Sequence, residues 1–143
     1  MILTEENFQE KIIGFSKVEW APLLTLIPLI EGTTKFGEVK GGNQVAEGLY
    51  TIPYMDQAKI VSEFTKIVYE MPIMINFDWG SWDDGREIAS DENFDYDTID
   101  IPTKCKLITA IVRNDRFCEG ALVEAFESGL ILKLLKSIEK QIG

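Results

Sequence analysis

From Leu130 onward the chain repeats one spacing. Leu130, Leu134, Ile138 and Ile142 recur at every fourth residue, flanked by Ile131 and Leu135, while Lys133, Lys136 and Lys140 fill the opposite side. Four residues is close to one turn of an α-helix, so this segment carries an apolar stripe and a polar back. A strand would need alternation at every second residue. A stripe of this length is unfavourable in water and must be buried against other elements. The helix is expected from about Gly129 to Ile142, with its lysines toward the negative end of the helix dipole.

The same period recurs upstream. Thr4 has the character of an N-cap, followed by Glu5 and Glu6 in a first turn and by Phe8, Ile12 and Phe15 on one face, with Gly14 as a stop. A second helix is expected over Val18 to Glu31, with Pro22 in its first turn, Pro28 kinking or ending it, and Gly32 after it. TKFGEVK and GLYTIPY, joined by the glycine-rich GGN, read as two short strands and a turn. Pro53 suits a strand end or edge. A helix over Asp56 to Glu70 follows, striped by Ile60, Phe64, Ile67 and Val68 and ended by Pro72. MPIMINFDW is a strand or a buried connector. Pro102 opens a helix to about Phe117, with Asp100 as its cap, and Leu122, Val123 and Phe126 mark another helical face. The expected fold is mainly α, of the α+β kind: a single-domain bundle of five to six helices with a small β-hairpin near residues 34–54, one domain over residues 1–143.

Composition bounds the chemistry. The chain has no histidine, which removes Ser-His-Asp and Cys-His hydrolysis and HExxH zinc sites. Catalysis would have to use carboxylates, lysine, tyrosine, cysteine or an oxygen-bound metal such as magnesium. Cys105 and Cys118 form no CxxC pair and are expected as packing residues; no metal site and no cofactor are expected. No apolar run approaches the ~18 residues that a membrane span needs, and MILTEENFQEK has acids where a signal peptide needs positive charge, so no export signal is expected. A cytoplasmic chain with no membrane contact is the expectation. The net charge of −10 is concentrated between Asp83 and Asp100, where eight acids face Arg86 alone. No stretch offers the basic face that direct nucleic-acid binding needs. The acidic 83–100 segment would instead suit a protein partner, or simply keep the chain solvated.

Two constellations carry candidate chemistry. Ile108, Ile111 and Val112 define an apolar arc, and Asp115 continues it at i+7 from Ile108. Glu119 stands one turn before Leu122 and Val123. Regular helices would turn both acids inward, beside Arg113 and Arg116. Asp115, Glu119, Arg113 and Arg116 are therefore the catalytic candidates; the plain alternative is a cap on the next helix and an ion pair. The second constellation is FDWGSWDDG, where Trp79 and Trp82 would stack on a ligand that Asp78 or Asp83 bonds. Tryptophan packing at the edge of the core is the competing reading. The acid spacing does not match a calcium loop, and GGN lacks the context of a phosphate loop.

The run RNDRFCEGALVEAFESGLILKLLKSI, with LIPLIEG, FGE, IPY and FDWGSW upstream, resembles an uncharacterised bacterial family classed as a domain of unknown function. The resemblance covers roughly residues 20 to 140. It implies a complete small domain of that family and carries over no activity, cofactor or catalytic residue. Three functions therefore stand as expectations. The first is a non-catalytic binding or interaction domain that makes contact through 83–100 and FDWGSW. The second is a small carboxylate-dependent, magnesium-assisted hydrolase or nucleotide-processing enzyme. The third is an acidic inhibitor that mimics nucleic acid. The sequence leaves the oligomeric state open.

Overall fold

The C-terminal stripe is the axis on which the protein is assembled. In a computed structural model that describes residues 5–142, helix α8 (Leu130–Ile142) packs against α2 (Lys17–Leu24), α3 (Leu26–Glu31), α6 (Ile101–Asn114) and α7 (Ala121–Glu127). Its Ile131, Leu134, Leu135 and Ile138 are fully buried. Helix α1 (Glu5–Ile13) lies on α6, and α4 (Lys59–Glu70) fills the space against α2, α3 and α7. The result is a mainly helical domain with two small antiparallel sheets.

Local chemistry explains most boundaries. Ser16 and Glu19 form a capping box at the start of α2, satisfying two amide donors that the first turn leaves open. The helix expected over Val18–Glu31 is split at Thr25. Pro28 supplies no amide hydrogen and its ring crowds the carbonyl of Leu24, so α2 ends there and α3 restarts. Pro22 consequently sits in the second turn of α2, not its first. The expected Thr4 cap lies outside the described residues. Asp100 accepts from the amide of Thr103 at 2.9 Å and caps α6, with Pro102 in the first turn as expected. MPIMINFDW is the buried connector. Met71, Ile73 and Ile75 point into the core, and the Ile75 amide donates to Thr109 Oγ1 at 3.3 Å.

The hairpin is longer than expected and turns elsewhere. β1 (Gly37–Lys40) pairs with β4 (Tyr54–Gln57), and β2 (Gln44–Ala46) pairs with β3 (Leu49–Tyr50) farther along the same two arms of the hairpin. The reversal falls at Glu47–Gly48. GGN lies midway along the ribbon, where Gly41 has a φ of +80° and its backbone presses on the carbonyl of Ile52, leaving no space for a side chain. Asp56 and Gln57 belong to β4, so α4 begins three residues later than expected. One further helix, α5 (Asp83–Ser90), forms inside the acidic segment.

Candidate functional site

The aromatic segment 77–82 is held in place from three directions. Trp82 stands edge-on to Phe77 with ring centroids 5.5 Å apart. Its ring lies across α5 at Gly85, where a Cβ would collide with it. Lys106 Nζ lies 4.7 Å from the centroids of both Phe77 and Trp82, and Glu5 anchors the same ammonium at 3.0 Å. A cation over two ring faces fixes the aromatic pair electrostatically. Trp79 opens a short 3-10 turn and leans on Phe117, centroids 5.9 Å apart.

These contacts leave a cleft of about 270 Å³ between α5 and α6, lined by Trp79, Trp82, Gly85, Arg86, Ala89, Leu107, Ala110, Ile111 and Asn114. The walls are apolar and aromatic, with one guanidinium and one carboxamide among them. Arg86 is held by the carbonyl of Gly80 and by Asp83 Oδ1 at 3.5 Å. Among the described residues no carboxylate, lysine, tyrosine or cysteine lines the cleft, so it presents no group of ordinary acid–base use. Of the four ligand candidates, Trp79 and Trp82 share this wall. Asp78 and Asp83 are exposed outside it, and Asp83 acts on Arg86. Sequence reasoning missed Arg86, Asn114 and Phe117, because no helix was expected within the acidic segment 83–100 and the approach of α5 to α6 was invisible.

The corner between α6 and α7 has a different character. Asp115 Oδ1 accepts from the amide of Leu122 at 3.0 Å, and its Oδ2 accepts from Gln57 Nε2 at 3.3 Å. Glu119 Oε1 accepts from the amide of Met55 at 2.6 Å. The two acids thus tie the base of the ribbon to the start of α7. Asp115 is half-buried, but Glu119 is exposed rather than turned inward. α6 ends at Asn114 and Gly120, in a left-handed conformation, caps α7, so the helical angle that aligned Glu119 with Leu122 is not carried across the break. Arg113 is half-buried and Arg116 exposed; among the described residues neither makes an ion pair with Asp115 or Glu119. Cys105 is buried, and burial pushes its thiol far above the usual cysteine range. Cys118 is exposed at this corner and does not pack as expected.

Most acids of the 83–100 segment are occupied within the chain. Asp91 Oδ1 accepts from the Asn93 amide at 3.0 Å, Asp95 Oδ1 from the Asp97 amide at 3.0 Å, and Asp100 caps α6. Asp97 takes the Ser137 hydroxyl at 2.5 Å and Lys140 Nζ at 3.1 Å; these donors, the hydroxyl first, hold its carboxyl below the usual range. Beneath them Lys104 is fully buried, and among the described residues its Nζ has no hydrogen-bond partner. Burial lowers its pKa from the ordinary lysine value, and the nearby Asp97 and Asp100 carboxylates oppose that shift. Lys104 stands at i−4 from Ile108, on the same arc as Asp115, so the spacing did hold a signal for it.

Among the described residues no group of three or more cysteine or acidic side chains could hold a metal ion, and no single helix is long and apolar enough to cross a membrane. The family model described as a family of unknown function, DUF6508, matches residues 15–143, nearly the whole chain. The chain belongs to that family. No curated protein and no solved structure matches it.

Proposed function

We propose that this member of the family is a non-catalytic binding domain whose α5–α6 cleft receives an aromatic or aliphatic group from a basic partner. One observation carries the reading: Trp79 and Trp82 line a single apolar cleft that no packed side chain fills. Indoles offer large, rigid contact area at low entropic cost, which is why tryptophan is enriched where proteins bind. The charge of the partner is argued from the rim. Asp78, Asp84 and Glu87 are exposed beside the cleft, and among the described residues their side chains make no hydrogen bond or ion pair. Asp115 and Glu119, the acids that an enzymatic reading would use, both accept hydrogen bonds from amide donors within the fold.

Three indoles of graded charge test this: tryptamine, indole and indole-3-acetate, each titrated while the tryptophan indole N–H signals are followed by NMR. Trp20 is fully buried and serves as the internal reference. The expected result is that Trp79 and Trp82 shift, Trp20 does not, and tryptamine binds most tightly. Equal binding of the cation and the anion would contradict the charged rim. Unmoved Trp79 and Trp82 signals would contradict the site itself.

A further inference from the structure

The ribbon has one covered edge and one open edge. Along β4 the Met55 amide is capped by Glu119, so it points away from β1. In an antiparallel ladder paired residues alternate between facing each other and facing outward. Met55 is paired with Val39, which places the Val39 N–H and C=O outward as well, on the free edge of β1. The Ala58 amide donating to the Phe36 carbonyl fixes the same phase three residues earlier. Among the described residues β1 has no strand neighbour other than β4, and Val39 is 68% exposed. An open edge strand is a template for another strand.

The sequence of that edge is its own antiparallel complement. Gly37-Glu38-Val39-Lys40-Gly41 reversed places Gly37 against Gly41, Glu38 against Lys40 and Val39 against itself. We propose that the protein forms a two-fold dimer in which β1 lies antiparallel to β1 of a second copy, centred on Val39. The two outward-facing Val39 residues then exchange a pair of main-chain hydrogen bonds, as a two-fold axis through a strand pair requires. Glu38 of each copy meets Lys40 of the other across the new pair. In the single chain Glu38 is bonded to Lys35 at 2.7 Å, and Lys40 to Asp56 at 2.6 Å with Glu38 at 3.6 Å. Lys40 thus already lies between acids on the ribbon surface, and the second copy supplies one more. Beyond β1 the ribbon from Gly41 to Met55 carries Glu47 as its sole charged side chain, so two chains of −10 would meet along a segment of low charge. The proposal is independent of the α5–α6 cleft.

The test is sedimentation of the full chain from micromolar to millimolar concentration, with charge swaps. Wild type is expected to dimerise. Glu38→Lys and Lys40→Glu each place like charges opposite one another twice per dimer, and each should weaken association roughly tenfold or more. The double variant E38K/K40E restores opposite charges in the antiparallel pair and should restore the dimer. Hydrogen exchange on wild type gives a readout that needs no variant: the Val39 amide should become protected as concentration rises. A wild type that stays monomeric, or a dimer that both single swaps leave unchanged, would overturn the proposal, as would a Val39 amide that exchanges equally fast at all concentrations.

Discussion

Helix α8 and the β-ribbon contain similar side chains and treat them oppositely. Ile131, Leu134, Leu135 and Ile138 are fully buried, whereas among the described residues eleven large apolar side chains are exposed and six of them, Val39, Val45, Leu49, Tyr50, Ile52 and Tyr54, belong to the ribbon. The ribbon is anchored at its base. There Phe36 packs on Phe126 with centroids 5.3 Å apart, Phe126 packs in turn on Phe64 at 5.2 Å, and Glu119 caps Met55. The helical body therefore derives its stability from burial, while the ribbon beyond its base adds little. Concentrated apolar surface that folding does not use points to contacts with other molecules.

Substitutions sharpen that contrast. The largest effect belongs to the body: Trp20→Ala, which removes a fully buried indole set edge-on to Phe15, should lose about 3–5 kcal/mol in denaturant unfolding. Ile52→Ser, at 85% exposure on the ribbon, should stay within about 0.5 kcal/mol of wild type. Equal losses would break the distinction. Between these extremes lies the brace that joins the two regions. Asp115→Ala removes the acceptor of the Leu122 amide and of Gln57, and should cost about 1–2 kcal/mol. No measurable loss would show that the corner is not a brace.

The smallest effect concerns Lys104. Its folded-state pKa lies below the ordinary lysine value, so between those two pH values the unfolded chain holds a proton that the folded chain has released. Stability should therefore rise with pH from the folded-state value up to the ordinary lysine value. Lys104→Met should abolish the rise and leave stability at neutral pH unchanged or higher, because a buried ammonium without a hydrogen-bond partner is unfavourable. Unfolding curves of both proteins across alkaline pH check this.

The body was legible in the sequence because its signals are local. A stripe at every fourth residue, Asp100 before Pro102, and Gly32 after an apolar run each act within one or two turns. The ribbon turn was misplaced because glycine supplies two different needs. Gly41 yields to a close backbone approach, while the reversal occurs at Glu47–Gly48. Helix α5 was missed because its inward face is nearly empty: Gly85 is small to admit the Trp82 ring, which leaves no apolar stripe to read. Trp79 and Trp82 were recognisable as ligand candidates, but Arg86, Asn114 and Phe117 required the packing of α5 on α6. Glu119 failed as an inward residue because a helical angle cannot be extended across a break.

The distinction between scaffold and binding surface is tested most directly on Trp79. Trp79→Ala should be measured for unfolding and for tryptamine affinity in one experiment beside wild type. The expected result is a stability loss of about 1 kcal/mol, well short of Trp20→Ala, together with loss of tryptamine binding. A variant that still binds tryptamine as wild type does, or that unfolds as Trp20→Ala does, would place Trp79 in the scaffold and contradict the cleft as the binding site.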